Sequence, residues 1–530
     1  MSCQYSLLDE PLIRARCVGE QTHRYYSLPE LFAAMRQDQI QDFPALRPHQ
    51  RHPWHAFLVQ LAAIALHRAQ VSESFAEAAQ WRQALLAITP DDPDGHAWCL
   101  VSRPEHPAFM QPPVPGEAVS KWKNHLLAPD ELDMLVTSKN HDLKAARMVR
   151  SQPDDWIMAL ISLQTQEGFL GSGNYGISRM NGGFASRPAL GAVPLGHWGR
   201  RWQRDVMTLL NSRNEIISSY SLDDTGIALV WTAPWDGTKS LPFASLDPFY
   251  VEICRRVRLD MQGEMLMAHT AGSKVARIEA KTLNGQTGDP WTPINIGEAK
   301  ALTLGGKGFD YKLAAELIYG AGNYRHPIAL ALREDDGAEG ISVIAQGVTR
   351  GQGKTEGYHE RRVPISPKAR KMLIRHQTDQ LASVAGKRVK DIGSMRSLLW
   401  SALATLFDNG NVGDRSSDGA KEKANRFVRP FELGEDRRFF TELNTEIEAS
   451  DPEQAYLDWL LSMAERAESI LTQAFDAGPR NGEQRYRARA AALSRFWGTL
   501  RSEKSPLPAL RDYYHEQQQH KEMANVSNKP

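Results

Sequence analysis

From residue 367 onward, apolar side chains recur at three- and four-residue intervals, the spacing of helices that bury one face. The clearest segment opens on Asp451-Pro452, a capping residue followed by proline at the first helical position, and closes on Gly478-Pro479. Between these limits Tyr456, Trp459, Leu460, Met463, Ile470, Leu471 and Phe475 share a face. Similar patterns over residues 367–384, 392–408, 436–449 and 482–500 predict an antiparallel bundle of the four-helix type spanning 366–515. Residues 516–530 are polar and are expected to fray.

The first 365 residues follow a different pattern. Short strand-like pieces alternate with helical ones, and Ser27-Leu28-Pro29-Glu30 carries a cap, an early proline and a glutamate at the third position. Residues 55–66 are almost wholly apolar, as befits a helix at the centre of a core, and His55 and His67 at its ends are expected to pack or cap. Proline recurs across 104–115, where Phe109 and Met110 should pin a loop to the interior. Over 220–350, β-prone runs such as 227–232 and 341–345 are broken by Gly, Asp and Pro. The expected class is therefore α+β: a large mixed domain over 1–365 with irregular sheets, followed by the helical bundle.

With 530 residues the chain is long enough for a sizeable core and more than one domain. Its 63 basic and 63 acidic residues cancel, which excludes a globally cationic, histone-like binder. The balance is uneven along the chain, however. Residues 341–430 hold 17 Lys and Arg against 8 Asp and Glu, so a nucleic-acid surface would be local, unless this is only a solvated basic face. Cys3, Cys17, Cys99 and Cys254 lie far apart without CxxC spacing, which suggests neither a zinc knuckle nor a disulfide framework and fits a reducing cytoplasm. No apolar run approaches the roughly 20 residues that span a bilayer, and the N-terminus lacks the features of a signal peptide.

Chemistry concentrates in glycine-rich loops. Gly168, Gly171, Gly173, Gly176, Gly182 and Gly183 are interspersed with Ser172, Asn174, Arg179 and Asn181. Glycine lets backbone approach a ligand closely, at an entropic cost that a plain turn cluster would not require. A second loop, Arg350-Gly351-Gln352-Gly353-Lys354, presents a planar amide between two glycines and two cations, able to enter a groove while its neighbours hold phosphates. Residues 347–355 also look like a phosphate-binding loop, but five residues rather than four precede the Gly-Lys pair, and the polar stretch 356–362 is no crossover helix. The loop at 138–144 contains His141-Asp142, which a metal phosphohydrolase would supplement with further ligands that are absent at recognisable spacing. Lys139, Asn140 and Lys144 read more economically as donors to RNA. No nucleophile elbow or comparable local signature singles out a Ser-His-Asp or Cys-His site, and no catalytic residues or cofactor are expected.

These stretches, with residues 7–13, 106–111 and 284–293 including Gly288-Asp289-Pro290-Trp291, resemble the CasA family, the large subunit of the type I-E CRISPR surveillance complex Cascade. The resemblance spans nearly the whole chain. It implies a non-catalytic subunit whose glycine loop at Gly171, Ser172, Gly173 and Asn174 lies in the minor groove of the protospacer-adjacent motif (PAM). Gln352, flanked by Arg350, Gly351 and Lys354, would be the wedge that starts strand separation. A groove-reading lysine is implied too, with Lys281 the first candidate and Arg277 and Lys274 nearby. Lys139, Asn140, His141 and Lys144 would meet the crRNA handle and neighbouring subunits. Lys368, Arg370, Lys371, Arg375, Lys387, Arg388 and Lys390 would hold the displaced strand. The implied partners are crRNA, double-stranded target DNA, other Cascade subunits and a recruited helicase-nuclease, with no membrane. A family cysteine cluster suited to zinc is represented here only by Cys254, so no metal is implied.

Overall fold

The computed structural model describes residues 3–133, 151–180, 186–320, 322–336, 339–351, 354–411 and 416–527. The chain divides into two compact units, one comprising 1–309 and 322–363, the other 310–321 and 364–530. The fold is α+β. The second unit includes the short helix Tyr311–Tyr319, which the chain supplies from between the two segments of the first.

In the larger unit, the helix Arg51–Arg68 is buried along nearly its whole length and forms the centre of the main core. It contributes Trp54, and Trp81, Trp202, Trp231 and Trp291 belong to the same core, each at most 1% exposed. Two of these indoles are satisfied by backbone, Trp202 Nε1 donating to Leu58 O at 3.1 Å and Trp231 Nε1 to Ala97 O at 3.0 Å. Ser27 and Glu30 form the reciprocal capping box that opens the helix Leu28–Arg36. Phe109 and Met110 are fully buried, as their place in a proline-rich loop predicted. Strands are short and fall into several two- and three-stranded sheets, among them Arg256–Gln262 with Met265–Ala271 and Asn124–Leu126.

His55, on the central helix, is 0% exposed and its Nε2 lies 2.8 Å from Asp205 Oδ2. Burial, reinforced by Arg201 and only partly opposed by Asp205, lowers its pKa from 6.5 to about 4. In the unfolded chain the imidazole accepts a proton near 6.5, which the folded protein refuses until about 4. The stabilisation is therefore full above pH 6.5 and declines as pH falls toward 4, by at most about 1.4 kcal/mol per pH unit. His55→Gln, which keeps a donor to Asp205 but cannot titrate, should flatten that part of the stability–pH curve measured by urea unfolding.

Two expectations are overturned by tertiary structure. Strand Gln4–Ser6 pairs with Cys99–Val101, and the pairing brings Cys3 to Cys99 at a Cα separation of 6.0 Å in a disulfide in which Cys17 and Cys254 take no part. A separation of 96 residues concealed that proximity. The polar tail does not fray at 516, since Pro508–Ser527 is helical.

The smaller unit is helical. Its helices are Tyr311–Tyr319, Pro367–Ile374, Thr378–Phe407, Asp418–Glu448, Pro452–Gln473, Gly482–Arg501 and Pro508–Ser527. Asp451 caps the Pro452–Gln473 helix through the amide of Gln454, and Tyr456, Trp459, Leu460, Met463 and Leu471 are buried as the periodicity predicted. The break placed near 384–392 falls instead at 375–377, where His376 has a φ of 56°. Gly386 and Gly393 sit within the continuous helix beyond it.

Candidate nucleic-acid interface

The glycine-rich turn grows out of the helix Pro153–Gln166. Gln164, buried on that helix, accepts from the amides of Cys254 and Arg255 at 2.9 and 2.8 Å and donates to Met110 O and Arg255 O. This side chain fixes Arg255, whose guanidinium donates to the carbonyls of Tyr175 and Gly168 on the two arms of the turn. The arms are themselves laced by Ile177 N to Glu167 O at 3.0 Å and Leu170 N to Asn174 O at 2.9 Å. The tip, residues 171–174, exposes Ser172 and Asn174.

Gly173 adopts a φ of 86°, and its carbonyl accepts from Ser273 N at 3.0 Å. A Cβ on the opposing Gly272 would lie 3.4 Å from that carbonyl. Two side-chain-free segments thus meet backbone to backbone, which leaves a low ridge able to approach a groove. A cleft of about 330 Å³ beside the ridge is bordered by Ser172, Asn174, Arg255, Arg256 and Thr270.

Residues 177–179, just beyond the turn, anchor it to the interior. Ser178 N and Oγ donate to Glu252 Oε2 at 2.7 and 2.9 Å. Arg179 donates to Glu252 Oε1 at 3.1 Å and Tyr250 O at 2.8 Å, and lies 4.0 Å over the Tyr250 ring. Its Nε is 3.6 Å from Asp289 Oδ2, and Asp289 also receives Arg187, Trp291 N and Thr292 Oγ1. The Gly288-Asp289-Pro290-Trp291 stretch therefore supplies the carboxylate hub of a buried ionic chain. Arg179, counted above among the glycine loop's polar neighbours, is 1% exposed and belongs to this anchor.

The candidate cations part company. Lys274 is exposed and follows Ser273 directly, so it stands beside the glycine turn, with its amide donating to Gly237 O at 2.7 Å. Lys281 is exposed on the 3-10 turn Lys281–Leu283. Arg277 is 3% exposed and donates to the carbonyls of Val230, Ala233 and Pro234 while stacking on Trp235 at 5.3 Å. Both terminal nitrogens of its guanidinium hold a loop and the side chain is buried, so it does not serve as a groove reader.

The strands Ile341–Gly351 and Lys354–Ile365 are sheet neighbours joined by two residues, a hairpin whose first strand pairs antiparallel with Ala189–Pro194. Arg350 and Gly351 end one strand and Lys354 begins the next, while Gln352 and Gly353 lie outside the described residues. A hairpin is not the strand–loop–helix of a phosphate-binding loop, which removes the ATP-dependent alternative. Lys139, Asn140, His141 and Lys144, with Asn181, Gly182 and Gly183, likewise fall outside the described residues.

In the helical unit, Lys368, Lys371, Arg375, Lys387 and Lys390 are exposed and Arg370 is half-buried. The Lys387 ammonium lies 3.6 Å from the centre of the Tyr456 ring. Arg388 departs from the set: it is 1% exposed, donates to Glu446 Oε2 at 2.6 Å and covers Trp459 at 4.2 Å. Burial lowers its pKa, with Glu446 opposing. It is a core residue with no face for a strand.

An α+β unit with irregular sheets, a backbone-only ridge and a separate helical unit together define a class of fold found among CRISPR-associated proteins. The particular fold is that of CasA, also called Cse1. The chain superposes on Cse1 from Acidimicrobium ferrooxidans with a TM-score of 0.65 at 14% identity, covering 97% of this chain and 99% of that one. CasA from Thermus thermophilus gives 0.62 at 15% identity, covering 94% and 99%. A chain of a CRISPR RNA-guided surveillance complex in a pre-nicking state gives 0.50 at 14% identity, covering 95% and 99%. No protein-family model and no curated protein matches the sequence.

Proposed function

We propose that the chain is the non-catalytic large subunit of a crRNA-guided type I-E Cascade complex. It reads the PAM of double-stranded DNA through the minor groove, opens the duplex with Gln352, stabilises the displaced strand along the exposed cations of the helical unit and presents a surface to a helicase-nuclease. The observation that carries this reading is the meeting of Gly173 with Gly272 and Ser273 beside exposed Lys274, within a fold shared over nearly the full length with CasA. Minor-groove readout is degenerate, which suits a subunit that accepts a short motif and leaves sequence choice to guide pairing. Lys274 rather than Lys281 takes the groove-reading role, because the chain path places it next to the ridge.

The test uses the assembled complex. Gln352→Ala should slow R-loop formation several-fold while leaving assembly with crRNA intact, since a wedge acts on a duplex step that costs a few kcal/mol. Lys274→Ala should weaken PAM-containing duplex binding about tenfold, with Lys281→Ala much closer to the parent. Parent-like R-loop rates in Gln352→Ala would reduce the chain to a structural scaffold.

A further inference from the structure

The larger unit holds a second cleft, of about 410 Å³, at the foot of the 341–365 hairpin. Ile344, Gln346, Glu360 and Arg362 form its hairpin wall, and Arg51, Trp198 and Arg201 face it from two helices. It is large enough for a single nucleotide and too small for a duplex.

Three guanidinium groups, of Arg51, Arg201 and Arg362, border this cleft beside the carboxylates of Asp42 and Glu360. Arg201 is only 13% exposed, and its Nε has no hydrogen-bond partner among the described residues. The nearest carboxylate oxygen, Asp205 Oδ2 at 3.8 Å, is already taken by His55, and Asp205 Oδ1 accepts from Arg204. Burial, and then the charges of Arg362 and Arg204 working against Asp205, push the Arg201 pKa below the usual guanidinium range. Arg362 is exposed with no ion pair or hydrogen bond among the described residues, and Arg51 lies 3.7 Å from Glu360 at its closest.

The remaining wall is not that of a simple anion hole. Gln346 donates its amide to Tyr358 OH and Glu360 Oε2 at 2.8 and 3.0 Å, which leaves the buried Oε1 without a partner. Asp42 Oδ1 is likewise buried and unpartnered. Buried polar atoms are seldom left so, and here one orphaned donor and two orphaned acceptors belong to one lining. Phe43 and Trp198, edge to face at 5.0 Å, supply aromatic surface. Glu360 offsets Arg51, whereas Asp42 is paired through Oδ2 with Arg16 at 3.4 Å. A ligand that fits therefore combines one phosphate with hydrogen-bond donors and a flat apolar body.

We propose that this cleft binds one nucleotide unit, its phosphate between Arg201 and Arg362 with Arg51 at the rim, and its sugar or base donating toward Gln346 and Asp42. The assignment does not depend on the PAM role proposed above. The nucleotide is either a free nucleoside monophosphate or an unpaired residue of a nucleic-acid strand.

The full-length protein would be titrated with the four nucleoside 5′-monophosphates, inorganic phosphate and a single-stranded pentanucleotide, read by phosphorus NMR line broadening. Arg362→Gln, at an exposed position where folding is not at stake, and Arg201→Gln should each weaken nucleotide binding at least fivefold. Inorganic phosphate should bind at least tenfold more weakly than the best nucleotide. Monophosphates binding as well as the pentanucleotide identify a free ligand, and a tighter pentanucleotide identifies a strand. Three results overturn the proposal: no binding at millimolar concentration, binding untouched by both substitutions, or phosphate binding as well as any nucleotide.

Discussion

Replacing Arg179 with methionine should destabilise the larger unit by about 3–5 kcal/mol, the usual consequence of removing one partner from a buried ion pair. Methionine fills much of the space, so the loss is electrostatic. Glu252 would keep only Ser178 as a close donor, and Arg187 would be the one cation left on Asp289, beside its neutral donors Trp291 N and Thr292 Oγ1. Burial already raises the Glu252 pKa with Arg179 present. Without that guanidinium, burial should raise the Glu252 pKa further, so the variant should lose less stability in acid than in base. Arg179→Met combined with Glu252→Gln should recover part of the deficit, because no carboxylate is then stranded. Urea titration of the larger unit's transition reads all three variants. A cost below about 1 kcal/mol for the single substitution would mean that the pair is not ionised as described.

That ionic chain also shows what the sequence could and could not disclose. Features set by neighbours in the chain were legible: the Ser27–Glu30 capping box, the Asp451-Pro452 start and the buried face from Tyr456 to Leu471 all follow from local spacing. The glycine turn was legible for the same reason, since residues needing close backbone approach cluster in one stretch. The fate of each cation was not. Arg277 and Arg388 look like any basic residue until Val230, Ala233 and Glu446 close on them from 44 to 58 positions away. The charge surplus of 341–430 counts Arg388 although it contributes nothing to the surface. Arg201 and Arg362 fall in one cleft only because a helix and a hairpin distant in sequence border it. No spacing signals such a meeting, and the same holds for Cys3 and Cys99.

Gly176→Ala should be the most disruptive single methyl in the glycine turn, lowering the complex's affinity for PAM-containing DNA at least tenfold. The obstacle is space rather than backbone angle. A Cβ there would stand 2.6 Å from the carbonyl carbon of Gly168, 2.7 Å from Phe169 N and 2.9 Å from Gly168 Cα, all backbone atoms that cannot rotate away. The two arms must separate, which strains the Ile177–Glu167 and Leu170–Asn174 hydrogen bonds and the grip of Arg255 on both arms. Overpacking of this kind costs about 1–3 kcal/mol. The displacement passes to the tip, where Gly173 would lose its register on Ser273 and the ridge would no longer present a flat edge. Ser172→Ala provides the contrast, since its exposed side chain can be trimmed without moving backbone, and it should bind within a few-fold of the parent. Neither substitution alters Lys139, Asn140, His141 or Lys144, the residues expected to meet the crRNA handle, so crRNA complex assembly should persist in both variants. Gly176→Ala binding DNA as the parent does would show that the ridge tolerates displacement, and minor-groove reading by this turn would have to be abandoned.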